Sequence, residues 1–204
     1  DPSTGLPTYI CNPDTGQGIG PSRGIGASYI LIWSPELWPE RTEQWYQIFE
    51  QQYWQTGRFL RGIREFSNKA SYPNWLVDVD AGPVMAGYGT AATAFGIGAS
   101  RVNGRLDMAT PLTQEMIVAL WPLPTGTWLG PRMLSNLSDA PYLGETALLF
   151  ILTRQPITEV TAVTDQNPPG VVYIALLFYF GGTIFWGWLA YRQWNRIVNK
   201  PRRI

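Results

Sequence analysis

The sequence predicts an all-α fold, about five helices in an α/α toroid or solenoid array followed by one C-terminal transmembrane helix. Three observations predict it. Residues 171–191, "VVYIALLFYFGGTIFWGWLAY", carry no charge over 21 positions. Upstream, apolar residues recur mainly at helical spacing. These upstream stretches alternate between small-residue apolar runs and amphipathic ones, the rhythm of inner and outer helices in a layered array, although no strict repeat is visible.

Residues 1–22 are rich in Pro, Gly, Thr and Asn and read as irregular coil. "RGIGASYILIWSPELW" predicts a short buried helix over 24–33, stopped by Ser34-Pro35. Pro39-Glu40 then opens an amphipathic helix over 40–57. Its apolar face is Trp45, Ile48, Phe49 and Tyr53, with Gly57 as its stop. Residues 58–77 read as a loop or broken helix, in which Arg58, Arg61 and Arg64 line one helical face, either solvated or walling a basic pocket.

"WLVDVDAGPVMAGYGTAATAFGIGAS" predicts a long buried helix with Asp80 as N-cap and Pro83 in the first turn, leaving Asp78 the freer carboxylate. Its Gly and Ala residues permit close helix–helix approach. Asn103-Gly104 predicts a turn, residues 107–121 an amphipathic helix, the following stretch to 144 a loop, and residues 141–154 an apolar helix. The expected organisation is therefore an irregular segment 1–22, a helical domain 23–155, a linker 156–170, a membrane span 171–191 and a basic tail 192–204.

Composition removes several chemistries. The chain has no His, which excludes imidazole catalysis and His-dependent metal sites, and Cys11 is its single cysteine. Asp78-Val-Asp80 looks like the start of a calcium loop, but Ala, Gly, Pro and Val follow where oxygen ligands are needed. The expectation is no metal and no cofactor. Residues 1–170 hold all fifteen acidic residues against ten of the fifteen basic ones, a formal charge of −5, which argues against nucleic-acid binding.

At about 1.5 Å per residue, the 21 uncharged residues reach about 31 Å and match a bilayer core of about 30 Å. Arg192, Arg196, Lys200, Arg202 and Arg203 follow the span, whereas "TDQNPPG" before it has no Lys or Arg. The positive-inside rule then puts the C-terminus in the cytoplasm and residues 1–170 outside, as expected of a bacterial inner-membrane protein with a periplasmic domain. Trp186, Trp188, Tyr191 and Trp194 are aromatic anchors, with Arg192 and Arg196 beside membrane lipid. Gly181, Gly182 and Gly187 allow another helix close approach. Such a topology needs an export signal, and "DPSTGLPTYICNPDTG" has neither a basic region nor an apolar one. The expectation is a signal removed before Asp1, or further chain upstream.

Five landmarks occur in order: "SRGIGAS" (22–28), "GIREF" (62–66), "DVDAGPV" (78–84), "ASRVNG" (99–104) and "LGETALL" (143–149). In these the chain resembles the C-terminal half of bacterial α/α-toroid proteins of the linalool dehydratase/isomerase-like group, over roughly residues 20–155. The resemblance implies a partial toroid, with a pocket rimmed by Arg23, Arg64, Glu65, Asp78, Asp80 and Glu145. It does not carry the activity across, because that enzyme's catalytic set includes His and Cys residues, and Cys11 matches no motif of it.

Three functions are consistent with the sequence. The first is a non-catalytic extracytoplasmic accessory subunit, anchored in a larger membrane assembly such as a respiratory or photosynthetic one, with another subunit completing the toroid. The second is a membrane-anchored lyase or hydrolase using Asp78, Asp80 and Glu145 as acid and base. The third is a ligand-binding module using the toroid pocket.

Overall fold

The computed structural model describes residues 1–78, 81–121, 123, 125–137, 139–161 and 167–198. Among these lie seven helices: α1 Gly24–Leu37, α2 Pro39–Tyr53, α3 Thr90–Val102, α4 Leu106–Ala119, α5 Leu129–Leu137, α6 Leu143–Thr153 and α7 Gly170–Val198. Between α2 and α3 run five short strands: β1 Trp54–Thr56, β2 Arg61–Ile63, β3 Leu76–Asp78, β4 Gly82–Met85 and β5 Tyr88–Gly89. The chain is mainly helical, but it is not all-α.

Helix α3 is the centre, packed on α1, α4 and α6. Its buried residues are mostly small (Ala92, Gly96, Gly98, Ala99 and Ser100), so its neighbours come close, as its composition predicts. Ser28 Oγ of α1 donates to the Ala92 carbonyl at 3.0 Å. Around this contact Leu31, Ile32, Phe49, Tyr53, Ile63 and Val102 form a fully buried core. At full burial each such side chain contributes about 1.5–3 kcal/mol. Outside α1 lies α2, tied to the α3–α4 turn by Arg105, which pairs with both Glu50 and Asp107. That turn is the expected Asn103-Gly104, with Gly104 at φ +70°.

Helix α1 runs through the predicted stop at Ser34-Pro35 and ends at Leu37. Proline cannot donate to the carbonyl four residues back, here Leu31. Asn103 Nδ2 donates to that carbonyl instead, at 2.9 Å, so the helix continues without an orphaned acceptor.

Two expectations for residues 54–90 fail for one reason, strand pairing. Helix α2 ends at Tyr53 rather than Gly57, because Trp54–Thr56 pairs antiparallel with Arg61–Ile63. Arg58, Arg61 and Arg64 therefore share no helical face. The stretch read as a helix start forms a three-stranded meander, β3-β4-β5, with Asp78 opposite Gly82 and Met85 opposite Tyr88. Gly82 and Gly87, at φ +67° and +85°, fold the chain back. Pro83 is in a strand, and α3 begins at Thr90 with Gly89 as its N-cap. Asp80 itself lies outside the described residues, but it is not the cap of α3.

A helix also forms where a loop was expected. Leu129 N–H donates to the Trp121 carbonyl at 3.0 Å and Gly130 N–H to that of Leu120 at 3.0 Å, which starts α5 beside the end of α4. A Cβ at Gly144 would lie 2.4 Å from the Pro131 carbonyl oxygen, so α6 starts against the first turn of α5 at backbone distance.

Helix α7 covers the predicted span and continues into the tail. It is long and apolar enough to cross a membrane. Its first half is fastened to the domain: Val171 N–H donates to the Phe59 carbonyl at 2.9 Å. Tyr179 Oη donates to the Val118 carbonyl at 2.8 Å. Trp121 packs its ring on Phe178 and Tyr179. Trp186, Trp188, Trp194, Arg192 and Arg196 are exposed on the second half, with the Arg192 guanidinium 5.4 Å from the Trp188 ring. The space around Gly181, Gly182 and Gly187 is open. Lys200, Arg202 and Arg203 lie outside the described residues.

Candidate functional site

Three of the residues singled out by sequence converge. Arg23 immediately precedes α1, Glu65 follows β2, and Asp78 ends β3. The Arg23 guanidinium donates to Glu65 Oε1 at 2.7 Å and to Asp78 Oδ2 at 3.1 Å. Tyr9 and Phe66 flank the same cation at 4.9 and 5.3 Å. Gly24 makes this junction possible: its N–H donates to the Glu65 carbonyl at 2.8 Å. A Cβ there would meet the Arg64 carbonyl oxygen at 1.9 Å. Glu65 is completely buried. Burial pushes its carboxyl up to about 7, against the opposing pull of Arg23.

The other two named residues point elsewhere. In the extended segment after β2 successive side chains alternate, so Arg64 turns from Glu65 to Gln55, donating to its Oε1 at 2.7 Å. Glu145, on α6, accepts from Ser135 Oγ at 2.6 Å. That hydroxyl holds its carboxyl below the ordinary range. The expected rim of six pocket residues therefore resolves into an Arg23–Glu65–Asp78 clasp and two groups engaged elsewhere, with Asp80 not described. The clasp joins α1, the β2 exit and β3, filling its own space with rings and ion pairs.

The concave site lies on the other side of α3. A half-open cavity of about 410 Å³ is walled by Ala94, Phe95 and Ile97 of α3, Leu112, Glu115, Met116 and Ala119 of α4, and Ala147, Leu148 and Ile151 of α6. Leu60, Arg61 and Tyr88 close it on the strand side, and Val171 on the α7 side. Its wall is almost wholly apolar. The Tyr88 hydroxyl donates to the Leu60 carbonyl at 3.0 Å and Thr93 Oγ1 accepts from Ile63 N–H at 3.1 Å, so both are internally satisfied.

Glu115 is the exception on this wall. It is 5% exposed, and its Oε1 accepts the Arg61 backbone N–H at 2.7 Å. Burial pushes its carboxyl up to about 7, with that N–H and the Arg61 charge opposing. Burial thus favours the protonated form, which can donate as well as accept. The sequence reading of residues 107–121 as an amphipathic helix did not single it out. The signal was its register: Met108, Leu112, Glu115 and Ala119 follow at four, three and four residues, so Glu115 stands in the apolar stripe of α4. Such a site suits an apolar molecule bearing a single hydrogen-bonding group.

Comparison with family models, with curated proteins and with solved structures gives no match for this chain.

Proposed function

We propose that this chain is a membrane-anchored, non-catalytic module that binds an apolar molecule with one polar group in the cavity between α3, α4 and α6. The observation that carries the reading is the single buried carboxylate, Glu115, in an otherwise apolar wall. Sites for small molecules usually occupy about 300–1,000 Å³ and combine apolar lining with a few placed polar groups. The cavity, at about 410 Å³, lies at the small end of that range.

A non-catalytic role is supported by where the other carboxylates go. Acid–base catalysis divides roles between groups that share a site. Asp78 is paired with Arg23, Glu145 is bonded to Ser135, and the cavity holds one carboxylate. The pairwise packing of α1 on α2 and of α3 on α4 is compatible with a partial α/α toroid and the linalool dehydratase/isomerase-like resemblance, under which the ligand is terpenoid-like. In this reading α7 crosses the bacterial cytoplasmic membrane with its basic end inside and the domain outside.

A second reading, an accessory subunit of a larger membrane assembly, draws on the exposed apolar side chains of α5 and α6, Met133, Leu143 and Leu149 among them.

Photolabelling tests the first reading. The protein in lipid nanodiscs is irradiated with a ten-carbon alcohol bearing a diazirine, and adducts are mapped by mass spectrometry. The expected adducts fall on Phe95, Met116 and Leu148; labelling confined to α7 contradicts the proposal.

A further inference from the structure

We infer that the end of the domain where α4, α5 and α6 meet is seated in the hydrocarbon layer, so that lipid acyl chains cover it. The inference rests on the reading that α7 spans a bilayer.

The length of α7 leads to it. The uncharged stretch begins at Val171, yet Phe178 and Tyr179 within it are held by Trp121 and Val118 of the domain. A span starting beyond this contact, at Phe180, has 12 uncharged residues before Arg192, or about 18 Å, well short of a core of about 30 Å. Counted from Val171, the 21 residues give about 31 Å. The bilayer is matched only if the stretch bound to the domain also lies within it. Val118 and Trp121 then sit about 12 Å along the span from its start. Snorkelling by Arg192 and Arg196 recovers a few ångströms, less than the deficit.

The surface at that level fits lipid. Backbone hydrogen bonds start α5 beside Trp121, and the Gly144–Pro131 approach starts α6 beside α5. At this junction the exposed side chains include Trp121, Leu129, Met133, Tyr142 and Leu143, at 39–68% exposure. A cluster of that kind marks an interaction surface. Lipid is favoured over a protein because the helix that enters the bilayer is hydrogen-bonded to this same face. Arg132, exposed on α5, has a stem long enough to carry its guanidinium toward the headgroups. The cavity reaches this junction through Leu120, Gly130 and Pro131, so its ligand is drawn from the membrane.

Depth measurement tests the seating. In the whole chain with Cys11→Ser, single cysteines from Leu129→Cys, Leu143→Cys, Phe185→Cys and Glu43→Cys are labelled with a nitrobenzoxadiazole dye. Two of the four sites serve as references: Phe185 marks the span and Glu43, exposed on α2, marks water. The variants are reconstituted in phosphatidylcholine vesicles and quenched by doxyl-labelled lipid or by aqueous iodide. The expected result is that sites 129 and 143 lose several-fold more emission to the lipid quencher than to iodide, as 185 does, with 43 reversed. If 185 behaves so and 129 and 143 follow 43, the seating is overturned while the span stands. Shielding of 129 and 143 from both quenchers also overturns it, in favour of a protein partner. If 185 follows 43, the span itself fails and the seating with it.

Discussion

The Arg23 clasp and the Glu115 cavity each contain a buried carboxylate whose proton is held to about pH 7, yet they do different things. Burial is the main cause in both. Glu65 faces the Arg23 guanidinium, which also pairs with Asp78 and is flanked by the Tyr9 and Phe66 rings, so the group fastens three segments of chain. Glu115 accepts the Arg61 backbone N–H, feels the more distant Arg61 charge, and borders open, largely apolar space. A raised proton affinity thus marks burial, and only the space beside the group separates a fastening from a binding site.

Removing the cation should have the largest effect. Arg23→Ala leaves Glu65 and Asp78 without it and should cost about 3 kcal/mol, read as a lowered unfolding midpoint in micelles. Glu65→Gln, which keeps an acceptor for Arg23 without burying a charge, should cost much less.

Next is the pH dependence. Both glutamates have folded-state values raised from 4.5 to about 7, so the folded protein binds more protons than the unfolded chain between those limits. Their contribution is full below about pH 4.5 and is lost as pH rises through about 7. Each loss is on the order of 3 kcal/mol. Glu115→Gln and Glu65→Gln should each flatten the profile. Only Glu115 lines the cavity, so only Glu115→Gln should also alter photolabelling.

Filling the cavity should act on binding alone. Ala94→Phe should lower labelling of Met116 and Leu148 by about tenfold, equivalent to about 1.4 kcal/mol, with the unfolding midpoint little changed. The smallest effect is expected at Asn103. Asn103→Ala strips the Leu31 carbonyl of its substitute donor, beside Pro35, and should cost about 1 kcal/mol.

How far the sequence showed these two regions follows from the range of the forces involved. The small residues of α3, the Asn103-Gly104 turn and the apolar length of α7 are local patterns, and each appears where expected. The meander is also local, but its strands are two to four residues long, too short for an alternating pattern to outweigh an apparent Asp-Pro helix start. Arg23, Glu65 and Asp78 were each singled out, while their convergence joins positions 42 and 55 residues apart and is set by tertiary packing. Glu115 was legible through its register on α4, where a lone charge in an apolar stripe signals a buried group. The cavity beside it depends on how α6 and the strands close, which no local pattern encodes.

The most direct measurement maps diazirine adducts on the wild type, Ala94→Phe and Arg23→Lys in parallel in nanodiscs. The account predicts cavity adducts on Phe95, Met116 and Leu148 in the wild type, their loss in Ala94→Phe, and their retention in Arg23→Lys. Adducts that persist in Ala94→Phe, or that vanish in Arg23→Lys while the protein remains folded, would contradict it.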